Sequence, residues 1–91
     1  MTLTPREWIA SWCGSLDSVI EDVGQLSPHL QRIVEPQIRT IREARHGLYQ
    51  TSEVLASNPD ADVLAEAEQH RADAESAVVC MTFRLLVRGR V

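Results

Sequence analysis

Two arginines stand where a helical apolar stripe calls for aliphatic side chains. Arg45 lies four residues after Ile41 and three before Leu48, and Arg71 lies four after Ala67 and three before Ala74. A guanidinium held among apolar groups has to be paired, because an unpaired buried charge is strongly destabilising. Two chemistries follow. Each arginine can find a carboxylate such as Glu43, Glu68 or Glu75, or Arg45 and Arg71 can together line a polar pocket for a small anion.

The remaining chemistry-bearing residues are sparse. His70 follows Glu66 by one helical turn, a spacing that can hold two ligands of a metal ion but supplies no third, so no metal is expected. His29, His46 and His70 are scattered, and neither a Ser-His-Asp nor a Cys-His arrangement can be built on them. There is no Gly-rich phosphate loop. We therefore expect no enzyme and no cofactor. Arg39, Arg42 and His46 recur at helical spacing, and Arg84, Arg88 and Arg90 crowd the C-terminus. Both groups could touch phosphates, yet neither is interleaved with aromatics, and Arg84 and Arg88 suit the negative end of a helix dipole. The net charge of −4 also has the wrong sign for a general nucleic-acid binder. Nucleic acid is not expected as a partner. Cys13 and Cys80 lack the close spacing of a zinc knuckle or redox pair and read as buried, reduced thiols.

The elements that position these residues follow from punctuation and period. Thr4-Pro5, Ser27-Pro28 and Asn58-Pro59 each place a capping oxygen before a proline, the pairing favoured at helix starts. From Pro5 to about Leu26 the residues Ile9, Trp12, Leu16, Val19, Val23 and Leu26 recur at alternating steps of three and four, which predicts a first long helix. Gly14 within it offers room for a neighbouring helix to approach, and Gly24 lies near its stop. Pro28 to Val34 can make a short extra helical turn. Pro36 then either kinks a continuing helix or opens a new one that reaches about Ala56, with Val34, Ile38, Ile41, Ala44, Leu48 and Leu55 in register. Gly47 is a weak point in that helix. A third long helix is predicted from about Pro59 to Arg88, with Leu64, Ala67, Ala74, Val78, Met81 and Leu85 on one face and Gly89 at its stop.

The expected fold is all-α: three long helices, up-down-up, in a single domain over residues 1–91, with the short turn between the first two. In that topology the first and third helices run parallel, and Cys13 and Cys80 sit at different heights and do not meet. Hydrophobic residues make up 44% of the chain and aromatics 4%, so the core must be aliphatic. No segment reaches the roughly 18 apolar residues of a membrane span, and the start lacks the pattern of a signal peptide. No membrane partner and a cytoplasmic location are expected. All nine basic residues are arginine, which points to a GC-rich bacterial or phage source.

Three local resemblances bear on function. Ile41-Arg42-Glu43-Ala44-Arg45-His46-Gly47-Leu48, in a 91-residue helical chain with inward arginines, is similar to a stretch of the helical chorismate mutases. That resemblance implies a dimer holding a dicarboxylate. The first helix departs from the family's pattern, offering Leu16, Val19 and Val23 where an inward arginine and acids are required. Asn58 to Ala65 is similar to the polar turn joining the helices of type III secretion needle subunits, and Trp12-Cys13-Gly14 spells the tripeptide of the small secreted Trp-x-Gly proteins. In the latter it lies in a turn, whereas here it falls inside a helix. Neither carries a residue role over to this chain.

The stronger signal is a surplus of apolar surface. In the C-terminal half of the third helix Val78, Met81 and Leu85 face the bundle, while Val79, Phe83, Leu86 and Val87 fan out on the other side. One stripe suffices for packing in a small bundle, so the second needs another cover. Leu30, Ile33 and Val34 could fold over it as a lid. Otherwise it is an interface with another protein or with a second copy of the chain. The expected function is a small non-enzymatic protein-binding module, an adaptor, inhibitor or assembly or secretion chaperone of a phage or mobile element. Val79, Phe83, Leu86, Val87 and Trp8 would do the binding.

Overall fold

The computed structural model describes residues 2–88. Among these the chain forms four α-helices and no strand: α1 Pro5–Gly24, α2 Pro28–Ile33, α3 Glu35–Ser57 and α4 Leu64–Arg88. Gly89 and Arg90 lie outside the described residues.

Capping sets most of the boundaries. Thr4 accepts a hydrogen bond from the Glu7 amide at 3.2 Å and donates its hydroxyl to Glu7 Oε1 at 3.0 Å, closing the start of α1. This helix ends at Gly24, two residues short of Leu26, which instead takes part in the turn. Gln31 explains how that end is satisfied. Its amide donates to the carbonyls of Gly24 at 3.2 Å and Leu26 at 2.7 Å, supplying partners that the helix itself cannot. Ser27 caps α2 by accepting from the Leu30 amide at 3.4 Å.

Pro36 opens a new helix and kinks none. Val34, with φ −106° and ψ 8°, closes α2 and precedes α3, and Pro36 occupies the first turn of α3, where its missing N–H is no loss.

The third start differs from expectation. Asn58-Pro59 does not begin a helix. Asn58 spends its side-chain oxygen on the Asp60 amide at 3.3 Å, and its carbonyl accepts from Ala61 at 3.0 Å. The chain makes this turn so that Ala61 and Val63 can pack against the end of the core, and α4 starts only at Leu64.

Neighbouring helices are antiparallel. Gln37 reaches Cys80 and Gly47 lies under His70, so numbers fall along α3 as they rise along α4. Pro5 lies near Leu55 and Val23 near Ile38, which makes α1 antiparallel to α3. Trp12 lies beside Arg71 and Val23 near Met81, so α1 and α4 run the same way. The bundle is up-down-up. Its centre is α3, which packs along both long neighbours, whereas α1 and α4 touch only sparingly. The result is elongated, 51 × 25 × 18 Å. Its radius of gyration of 14.9 Å exceeds the roughly 12 Å of a compact chain this long.

The core is aliphatic. Ile9, Val34, Ile41 and Leu48 are fully buried, and α4 contributes mainly Ala67, Ala74, Ala77 and Met81. The three alanines let α4 lie close to α3. Gly47 serves the same contact: a Cβ there would come within 2.5 Å of the His70 ring. Gly14 differs from expectation, since nothing stands within 4 Å of its absent side chain and no helix approaches it. The cysteines divide. Cys13 is buried, but Cys80, at the edge of the α3 contact where it accepts from Gln37 Nε2 at 3.6 Å, is exposed; both thiols are free. No described helix is long and apolar enough to cross a membrane.

Candidate docking surface

The two arginines expected inside the seams lie at their edges, with side chains 35% and 43% exposed for Arg45 and Arg71, and both have protein partners. Arg45 donates from Nη1 to Asp17 Oδ1 of α1 at 2.8 Å. This partner was not among the acids expected, because it is supplied by another helix, 28 residues away in sequence. Arg71 donates from Nη1 to Glu75 Oε2 at 2.8 Å, within one turn of α4, and its guanidinium lies 5.5 Å from the centre of the Trp12 ring. Arg45 and Arg71 thus spend charge on carboxylates of their own chain. Cys13 is nearby. Burial pushes its thiol pKa up, the Asp17 charge adds to the rise, and Arg45 draws it partly back.

The other polar candidates form no assembled centre. His70 Nε2 stands 3.8 Å from Glu66 Oε1, and no group of three or more metal-ligating side chains occurs among the described residues. Arg39 pairs loosely with Glu35 at 3.9 Å on the exposed side of α3.

The outer face of α4 is different in kind. Val79 is 65% exposed, Phe83 67%, Leu86 57% and Val87 50%. The physical cause is the central place of α3, which takes up one stripe of α4 and leaves the opposite stripe without a neighbour. The short helix α2 does not close it. Leu30 and Ile33 of α2 and Val34 at its end are buried or partly buried, yet only Ile33 lines the space beside Phe83 and Val87, which stay exposed. A cleft of about 460 Å³ remains there, between Ile33 and Pro36 on one side and Phe83 and Val87 on the other, rimmed by Arg32, Arg84 and Arg88.

Trp8 is not part of this face. It is 37% exposed and lies with its ring 6.4 Å from that of Trp12, at the end of the molecule where Arg71 sits. Arg71 and Phe83 are twelve residues apart on α4, about 18 Å along the helix. Ala72, Ser76 and Cys80, in contrast, do belong to the face: with Glu75, Val79 and Phe83 they line a shallow groove. Sequence reasoning overlooked them because alanine, serine and cysteine carry little hydrophobic signal. Their spacing from Val79 and Phe83 would have revealed them.

The site is thus a solvent-facing apolar stripe on one of the three long helices of an α3-centred bundle. Comparison with family models, curated proteins and solved structures finds no match for this chain.

Proposed function

We propose that this protein is a small non-enzymatic binding module that docks another polypeptide on the outer face of α4. The reading rests on one observation: Val79, Phe83, Leu86 and Val87 are at least half exposed on a helix whose opposite stripe is already packed. Apolar area removed from water contributes about 25 cal/mol per Å², and four such side chains on adjacent turns form a patch that isolated surface residues do not. Part of that gain is spent on lost motion on association. The arginines at the rim would orient the partner more than hold it. Adaptor, inhibitor and assembly chaperone all fit such a surface, and a reducing cytoplasmic setting fits the free thiols.

The test is substitution of exposed side chains that the fold does not use. Phe83→Asp and Leu86→Asp should retain the helical circular dichroism and melting behaviour of the parent. Both should lose association, measured as solution molar mass and as crosslinking to other chains in cells. If the parent associates and the two variants associate equally well, α4 is not the docking surface.

A further inference from the structure

We propose that the partner of this face is a second copy of the chain, with α4 pairing antiparallel to α4 about a two-fold axis near Val79. The inference rests on the docking role proposed above and names its occupant.

Spacing comes first. Ala72, Ser76, Val79, Phe83 and Leu86 alternate by four and three residues, the repeat of a helix-pairing seam, and all five are exposed. The stripe runs opposite Ala74, Val78, Met81 and Leu85, which face the core. It also tapers. Small side chains, Ala72 and Ser76, occupy its first half, and large ones, Phe83 and Leu86, its second. A parallel pair would stack large on large and leave a gap between the small ends. An antiparallel pair centred on Val79 seats Phe83 over Ser76 of the second copy and Leu86 over its Ala72, filling space on both sides of the axis.

Charge selects the same direction. The first half of α4 carries Glu66, Glu68, Asp73 and Glu75 against the single cation Arg71, and the second half carries only Arg84 and Arg88. Asp73 and Arg84 lie on the same flank of the stripe. In the antiparallel register each Asp73 comes beside Arg84 of the other copy, twice per dimer, whereas parallel pairing sets like charges together. Arg84 makes no ion pair among the described residues, and Asp73 accepts only from Gln69, at 2.9 Å. Glu75, on the opposite flank, already has Arg71. The exposed Cys80, whose sulfur accepts from Gln37 Nε2 at 3.6 Å, falls within a residue of the axis on the flank of Asp73 and Arg84, so the pairing brings the two Cys80 residues close to each other.

The decisive experiment combines molar mass, charge exchange and thiol crosslinking on the full chain. The parent should sediment as a dimer at micromolar concentration. Mild oxidation or a short bismaleimide should link it through Cys80, in Cys13→Ser but not in Cys80→Ser. Asp73→Arg and Arg84→Asp should each raise the dissociation constant roughly tenfold, and the double exchange should restore it. A monomeric parent overturns the dimer. In that case Phe83-dependent association with a different chain would leave the docking role intact, and its absence would remove both. A dimer sensitive to Phe83→Asp that neither crosslinks at Cys80 nor recovers on charge exchange overturns the antiparallel register alone. A dimer indifferent to Phe83→Asp overturns face and partner together.

Discussion

At the scale of single residues, the two cysteines show how position and not type decides chemistry. Thiolate is the reactive form. Cys13 is buried and its pKa is raised, first by burial and then by Asp17, whereas Cys80 is open to solvent. A maleimide added to the native protein near neutral pH should modify Cys80 and spare Cys13, which should react only after denaturation; mass spectrometry of the digested adduct reads the outcome. Linkage gives a second consequence. Because the folded state holds the Cys13 proton more tightly than the unfolded chain does, the associated stability is intact below the ordinary thiol pKa and is lost as pH rises through the native value. Cys13→Ala should therefore lose less melting temperature than the parent as the pH is raised above the ordinary thiol pKa of about 8.5.

At the scale of elements, the α3–α4 contact depends on small side chains. Ala67, Ala74 and Ala77 bring α4 down onto α3, and Gly47 makes room for the imidazole of His70. Glycine within a helix costs about 1 kcal/mol relative to alanine, so Gly47 is kept at some expense to its own helix. The two sites must then be coupled. In a His70→Ala background, Gly47→Ala should raise stability by roughly 1 kcal/mol; with His70 present, the same change should yield less or be destabilising, since the ring has to move. Urea titration of the four proteins measures the difference, and additivity would show that the close approach carries no energetic weight. The loop between α3 and α4 illustrates the same dependence on packing. Asn58 and Pro59 have the chemistry of a helix start, yet the chain stays irregular until Leu64 so that Ala61 and Val63 can cover the end of the core.

At the scale of the whole molecule, the arrangement is open. With α3 in the middle and little contact between α1 and α4, each outer helix packs one stripe and presents the other to water. Only α4 has filled that outer stripe with large apolar groups. If self-association covers it, folding and pairing are linked by mass action, and the melting temperature rises with protein concentration. We expect a clear increase across a hundredfold concentration range for the parent and none for Phe83→Asp. Differential scanning fluorimetry is sufficient for both. Equal concentration dependence in the two proteins would place the linkage elsewhere on the surface.

The amino-acid sequence by itself determined the helices, because period and capping act within one or two turns: the stripes of α1 and α3, the starts at Thr4-Pro5 and Ser27-Pro28, and the surplus apolar flank of α4 are local facts. Tertiary structure alone decided which groups meet. Asp17 rather than a nearby glutamate pairs with Arg45, Gly47 rather than Gly14 accommodates a neighbour, Cys80 remains outside, and Trp8 lies apart from Phe83. Each of these turns on the rotation and height of one helix against another, quantities set by the fit of side chains across an interface and not by the order of residues along a single turn. The exposure of Val79, Phe83, Leu86 and Val87 has both origins: the order of residues put four apolar groups on that flank, and the central position of α3 left them facing water.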